Sequence, residues 1–325
     1  MTKRCFIFLL LTLSFFSCFD REQKNELAVS SGKINSLSII INDQLWDGEI
    51  GDSLRKKFAA PVDGLLQEEP LFTINQYPLK ALEGNKILSR NLIIVRKGEK
   101  IDFQFLKNEY ATPQNSIHIS GTKNSQILEH IEKNADAIIK SIKKSEIVEN
   151  RKKFELSSLN DQKIKKKFKI SLIMPATFKY VLERQNFVWL KRDFLSGNNS
   201  IVIYTAPFKT LLKSDDLTNN IISLRDSMVG KYIRSKVRNS KMITEESYAP
   251  YFLKTILNNK RCWETKGAWE IKGDYMSGAF INYAIMDRKR RRFLIIEGFC
   301  YAPSIEKRDL MFELESILKS VKFLK

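Results

Sequence analysis

Residues 261–301, RCWETKGAWEIKGDYMSGAFINYAIMDRKRRRFLIIEGFCY, decide the fold. Arg261–Ile271, Ala279–Asp287 and Arg292–Tyr301 are strand-length runs rich in β-branched and aromatic residues, separated by glycine, aspartate or a knot of cations. Connections this short join antiparallel neighbours, so the stretch predicts three successive antiparallel strands. Downstream, Leu310, Leu314, Ile317, Leu318 and Val321 recur at helical spacing, which predicts a closing helix with Ser304 as its N-cap. Upstream, Phe187–Arg192 alternates as a strand, Gly197-Asn198-Asn199 turns it into Ser200–Thr205, and Leu217–Ile233 is helical by pattern. Strands overlain by helices make an α+β module.

The first half reads in the same way. Leu37–Ile41, Pro70–Gln76, Asn91–Arg96 and Lys100–Leu106 read as strands, the last two forming a hairpin over Lys97-Gly98-Glu99. A long helix follows around Ser125–Asn150, with Ile127, Ile131, Ala135, Ile138 and Ile142 on one face. Arg151–Lys167 lacks apolar periodicity and carries a dense cationic block, the mark of a linker. The expected organisation is a leader over residues 1–17, a tether over 18–33 and an N-terminal α+β module over 34–150. A basic linker over 151–167 and a C-terminal α+β module over 168–325 complete it. Each module is expected to be a mainly antiparallel sheet covered by helices.

The leader opens on Lys3 and Arg4, runs apolar from Cys5 to Phe16 and closes on Ser17-Cys18, the pattern of a secretory signal. The apolar run would be about 18 Å long as a helix, against a bilayer core of about 30 Å. Ser17-Cys18 resembles a bacterial lipobox, with Phe15 where leucine is common. That resemblance implies cleavage before Cys18, a diacylglycerol on its sulfur and further acylation of palmitate type. Two or three such chains hold a protein firmly where one is marginal. Phe19 stands where an inner-membrane retention signal would place Asp, so an outer-membrane lipoprotein is expected, its periplasmic face favoured over the cell surface.

Apolar residues make up 43% and aromatic residues 11% of the chain, enough for a proper core. The net charge is +18, with local concentrations at Lys163–Lys169 and Arg288–Arg292. Such charge serves phosphate neutralisation in many proteins. An exported chain does not meet nucleic acid, so an anionic lipid surface or acidic glycan is the partner to consider, beside simple solvation. Arg288, Arg290, Arg291 and Arg292, at the tip between two strands, are the candidate contacts. Cys262 and Cys300 allow one disulfide in an oxidising compartment or two buried thiols, and no Cys-x-x-Cys occurs.

Catalytic motifs are sparse. The two histidines, His118 and His130, lack zinc-ligand spacing, so no metal is expected, and a histidine triad would need one of them. Ser-x-x-Lys recurs too often in this Lys-rich chain to carry weight, and the missing Walker A and Gly-x-Gly-x-x-Gly motifs leave no cofactor to expect. Glu68-Glu69 is the best acidic pair, but strand neighbours point to opposite faces. Trp46, Asp52, Arg55 and Arg90 form one candidate cleft lining and Arg225, Asp226, Trp269 and Glu270 another. The two tryptophans offer either carbohydrate-stacking platforms or buried anchors. Ser53 and Ser227 sit in Asp-Ser-Leu and Asp-Ser-Met, which match a short bacterial O-glycosylation pattern.

Dispersed positions add up to a resemblance. Leu45-Trp46-x-Gly48-x-x-Gly51-Asp52, Glu68-Glu69-Pro70-Leu71-Phe72, Arg90-Asn91 and Ala111-x-Pro113-Gln114 carry it in the first half. Phe187-Val188-Trp189, Leu224-Arg225-Asp226-Ser227, Gly267-x-Trp269-Glu270, Glu297-Gly298-Phe299 and Phe312-Glu313-Leu314-Glu315 carry it in the second. Together they are similar to a family of uncharacterised Bacteroidota lipoproteins, a domain of unknown function covering nearly the whole mature chain. Tyr275-Met276-Ser277-Gly278 departs from the Phe-Met-Ala-Gly of that pattern. The C-terminal strands and helix also resemble PsbP-like α/β sandwiches. The resemblance implies an envelope lipoprotein and supplies no activity. The expectation is a lipid-anchored, non-enzymatic binding or assembly module, with an envelope hydrolase acting on glycan or peptide through carboxylates as the alternative.

Overall fold

The computed structural model describes residues 27–325; the leader, Cys18 and most of the tether lie outside them. In the first module β1 (Ser36–Ile40), α1 (Glu49–Phe58), β2 (Thr73–Tyr77), β3 (Asn91–Lys97), β4 (Asp102–Lys107) and β5 (Asn115–Gly121) precede the helix α2 (Asn124–Glu155). The strands form one sheet in the order β2-β1-β3-β5-β4. Two α+β modules are present as expected, and antiparallel pairing dominates over the whole chain. This first sheet departs from it: β1 pairs parallel with β2 and β3, β3 pairs parallel with β5, and β4 alone is antiparallel.

The expected β3–β4 hairpin fails for a reason written in the strands. Asn91–Val95 are all buried, whereas β4 buries none of its residues fully and partly covers one face. A strand covered on both faces belongs in the middle of a sheet and a half-exposed strand at its edge. β5 therefore slots between them, and Gly98 donates its N–H to Gly121 O at 3.1 Å instead of closing a tight turn.

The second module contains α3 (Gln162–Phe168), β6 (Lys179–Arg184), β7 (Phe187–Phe194), β8 (Gly197–Pro207), α4 (Leu217–Tyr232), β9 (Lys241–Thr244), β10 (Tyr251–Leu257), β11 (Lys260–Lys272), β12 (Ser277–Asp287), β13 (Arg292–Tyr301) and α5 (Arg308–Leu318). Its eight-stranded sheet is antiparallel throughout, in the order β9-β11-β12-β13-β8-β7-β6 with β10 also beside β11. Alternation splits β12 cleanly. Ala279, Ile281, Tyr283 and Ile285 face the core under α5, while Phe280 and Ala284 face the core under α4.

The expected linker is folded. α2 runs on to Glu155, and Phe154, Ile164 and Phe168 are buried in the second module's core. At 32 residues, α2 is about 48 Å long and packs Ile127–Ile142 on the first sheet before delivering Phe154 to the second. Part of the tether is folded as well: Ala28–Val29 pair with Ala111–Thr112, and Arg90 holds Gly32 O and Lys33 O at 3.0 and 3.1 Å.

The modules are locked through α5. Its N-terminus is capped by Glu69 of the first module, not by Ser304, since the helix begins only at Arg308. The Glu69 carboxylate accepts the N–H groups of Lys307 and Arg308, each at 2.7 Å. A carboxylate there satisfies orphan donors and meets the positive end of the helix dipole. Asn35 adds a bond to Asp309 at 2.8 Å and Asn150 one to Ser316 at 3.1 Å.

Candidate functional site

A cleft of about 620 Å³ opens where the modules meet. Ile139, Lys143 and Ile147 on the flank of α2 form one wall, and Lys266, Ala279 and Ile281 of the second sheet the other. Met311, Phe312 and Glu315 of α5 form the floor, and the loop 62–65 closes one end. Val148 and Ile256 stand at the rim, 43% and 72% exposed. The loop lies tight on β11: Gly64 has φ +85°, and a Cβ there would sit 2.8 Å from Lys266 Cβ.

Charge in the cleft is organised in two tiers. Deep inside, Glu315 meets Lys319 at 2.5 Å and Lys266 at 4.0 Å. Glu264 meets Lys266 at 3.3 Å and accepts the Tyr283 hydroxyl at 2.7 Å. Burial alone would raise the Glu315 carboxyl, yet Lys266 and Lys319 hold it down at about 2. The same Glu315 charge keeps Lys266 above the ordinary lysine value. Lys143 lies between the rings of Phe72 and Phe312, its Nζ 4.8 Å from each, and donates to Asn35 Oδ1 and Leu71 O. Burial lowers this amine to about 8. The second tier is the outer flank of α2, where Lys140, Lys144 and Arg151 form no salt bridge with any carboxylate among the described residues. Arg151 donates to the Ser316 carbonyl, at 3.1 Å.

Each expected cleft lining is brought together only in part, and neither lines a cleft. Asp52, Arg55 and Trp46 form a surface cluster on and before α1, with Arg55 2.7 Å from Asp52 and 4.5 Å above the Trp46 ring. Arg90 is buried elsewhere against Glu146 of α2, at 2.7 Å. Asn91 donates to the same carboxylate at 2.7 Å and accepts from Asn115 at 2.7 Å. Arg225, on the inner face of α4, is fully buried, pairing with Glu297 at 2.9 Å and with Asp226 at 3.1 Å, its guanidinium 3.9 Å over Phe280. Trp269 is 1% exposed and donates to Cys300 O at 3.2 Å, so it anchors the sheet and offers no stacking platform. The fit needs Gly278, where a Cβ would fall 3.0 Å from the indole nitrogen. Glu270, next along β11, points to the opposite face. Its carboxyl is raised by burial and by Glu245 beside it.

Other candidates are spent structurally. Arg290 and Arg292 hold the buried Asp287 at 3.4 and 3.3 Å and also bind the backbone carbonyls of Leu324 and Phe168. Of the four arginines at the tip, only Arg288 and Arg291 project into solvent. Cys262 and Cys300 are free and buried. Cys262 lies level with Ile285 and so with Leu294, and Cys300 is six residues beyond Leu294 on β13, about 20 Å along the strand. No bond can span that gap. The Ser53 hydroxyl is buried without a partner, closed to a glycosyl donor, whereas Ser227 is exposed on α4. Glu109, Ser116 and His118 do meet, but as a closed triangle. The one nitrogen His118 Nε2 lies 2.7 Å from Glu109 and 3.3 Å from Ser116, and Ser116 is fully buried. A relay needs base and orienting carboxylate on opposite ring nitrogens. Among the described residues no three His, Cys, Asp or Glu side chains come together as a metal site would require.

Glu146, Glu297 and the cleft itself were missed by the residue patterns. Glu146 had a signal: Ile138, Ile142, Glu146, Asn150 and Phe154 continue one four-residue stripe, and all are buried. A charge inside such a stripe demands a partner.

Residues 157–320, half of the chain, match the model of a domain of unknown function, DUF4837. The chain belongs to that family. The DUF4837 segment covers the second module, and residues 30–155 match a further domain of unknown function, DUF8532. The two matches meet at the break between α2 and α3, so uncharacterised families cover residues 30–320, as the dispersed motifs implied. No curated protein matches the chain. Among solved structures the DUF4837 chain is similar to the Ran-binding protein Mog1p of Saccharomyces cerevisiae, 8% identical over 48% of this chain and 91% of that one, with a TM-score of 0.34. It is also similar to PA94 of Pseudomonas aeruginosa, a protein of unknown function titled a putative regulator, 10% identical over 42% and 84%, with a TM-score of 0.23.

Proposed function

We propose that this DUF4837 chain is a lipid-anchored envelope protein that binds a ligand in the cleft between its modules without transforming it. The observation that carries the binding half is the cleft: concave, largely apolar and within the size range of small-molecule sites, with seven lining cations facing two lining carboxylates. Two facts favour binding over hydrolysis. Glu69 of the acidic pair is committed to the α5 cap, and the cleft carboxylate Glu315 is held as an anion by lysines. A general acid needs a raised carboxyl, not a lowered one. The anchor rests on the leader, whose apolar run Cys5–Phe16 ends at Ser17-Cys18.

Each half has its own test. An alkyne fatty acid fed to expressing cells should label the protein, and Cys18→Ala should abolish the label; a label indifferent to Cys18 refutes the anchor. Native mass spectrometry of protein purified from its own envelope should show a bound small molecule that Ile147→Trp, which fills the cleft, excludes. If the wild-type and filled proteins carry the same load, the cleft is not the site.

A further inference from the structure

Resting on that reading of the cleft, we infer that its ligand is an anionic amphiphile: an acyl chain carrying a carboxylate or phosphate head. The chain is dictated by the walls. Ile139 and Ile147 on α2 face Leu257 and Ile281 of the second sheet across the cleft, over a floor of Met311 and Phe312. Val148 and Ile256 continue this apolar track to the mouth, both exposed to water. A small, compact polar ligand would leave that track wet, whereas an extended hydrocarbon covers it.

The head is dictated by which charges remain. Lys266 and Lys319 are matched by Glu315 and Glu264, Lys143 by two oxygen acceptors and two rings, and Arg308 by Asp309 and the Pro70 carbonyl. That leaves Lys140 and Lys144, one helical turn apart on the same flank of α2, with Arg151 two turns further on. The three span about 17 Å along the wall; Glu155, one turn beyond Arg151, acts on that guanidinium without bridging it, while Lys140 and Lys144 form no salt bridge among the described residues. An anion at the mouth would complete Lys140 and Lys144, and its chain would run past Ile147 and Val148 into the cleft. A neutral lipid would bury the chain and leave the cations unmatched, and a cationic amphiphile would be repelled.

The probe is 11-(dansylamino)undecanoate, whose emission rises on leaving water, titrated into the full Cys18→Ala chain purified without detergent. One molecule should bind per chain. Dodecanoate and dodecyl phosphate should both displace it, and their relative strength separates a carboxylate from a phosphate source. Dodecanol should be at least 10-fold weaker, and lengthening the competitor from decanoate should improve displacement about 4-fold per methylene until the cleft is full. Lys140→Glu/Lys144→Glu, at exposed positions that leave the fold intact, should weaken the probe at least 10-fold. Ile256→Asp should do the same through the chain, and Lys289→Glu/Arg291→Glu on the remote tip should have no effect. If the probe binds all variants alike, or if dodecanol competes as well as dodecanoate, the proposal is overturned. If no amphiphile binds while Ile147→Trp still removes an envelope-derived molecule, the ligand class is wrong and the cleft remains a binding site. If neither is seen, both fall.

Discussion

Glu69 and Arg308 lie 239 residues apart, yet the Glu69 carboxylate accepts the Arg308 backbone N–H at 2.7 Å. The neighbouring Lys307 N–H reaches the other carboxylate oxygen at the same distance. One side chain of the first module thus caps the closing helix of the second. Glu69→Ala should remove a buried, charge-assisted cap and cost about 2–3 kcal/mol in urea unfolding, with Glu69→Gln costing about half as much. A loss below about 0.5 kcal/mol for Glu69→Ala would show that backbone contacts alone hold the helix start.

Arg225 and Glu297 make a sharper case. Burial pushes the Glu297 carboxyl up, while Arg225 and an Asn282 bond at 2.8 Å pull it back. Arg225→Met should leave that carboxylate buried without its ion and cost about 3–5 kcal/mol. Arg225→Met/Glu297→Met removes both charges and should be less damaging than Arg225→Met alone. A double variant as unstable as the sum of the singles would mean that the two residues do not act as a pair.

The same pair separates what local residue patterns reveal about this fold from what they hide. The three strands of Arg261–Tyr301 and the face Ile127–Ile142 of α2 were legible because period-two and period-four patterns are local. Arg225 reads in the sequence as a cleft residue, but it is spent on Glu297, 72 residues away on β13, a partner that only the strand pairing brings near. Parallel pairing in the first sheet was hidden because Lys97-Gly98-Glu99 has hairpin composition, and only the burial of β3 on both faces forbids the hairpin. The cleft was least legible. Its walls come from α2, the loop 62–65, three strands and α5, and no local pattern joins them.

Cys262 and Cys300 should both be alkylated by iodoacetamide in denaturant without reductant, and a non-reducing digest should contain no peptide linking them. Both thiols should react slowly in the native protein. Burial pushes Cys300 up to about 11 and Cys262 higher still, leaving little thiolate at neutral pH. A linked peptide would refute the strand register.

Glu315 sets an acid limit. Its folded carboxyl titrates at about 2 against an ordinary 4.5, so its contribution is complete above pH 4.5 and lost as pH falls toward 2. The contribution is on the order of 3 kcal/mol, and the side chain is only 16% exposed, so screening removes little of it. Glu315→Gln should be destabilised by about that much at pH 7 and converge with the wild type only as the pH approaches about 2. Curves that stay parallel from pH 7 to 2.5 would show that the lysines around Glu315 do not act through its charge.

Lys143 works in the opposite direction and at the opposite end of the scale. Burial lowers its amine from 10.5 to about 8, so between these values the unfolded chain holds the extra proton. Stability must therefore rise with pH across that window, because raising the pH removes a proton that the folded cleft holds less tightly than the unfolded chain does. Below pH 8 both states are charged, and the full cost of keeping an ammonium between Phe72 and Phe312 is carried by the fold. Lys143→Met keeps the length of the side chain and has no proton to lose. The stability difference, wild type minus Lys143→Met, should grow between pH 8 and 10.5 by up to about 3 kcal/mol, read from urea midpoints at constant ionic strength. Taking the difference between the two proteins removes what groups remote from the cleft contribute to both. A difference that stays flat would place the Lys143 amine in water, outside the two rings.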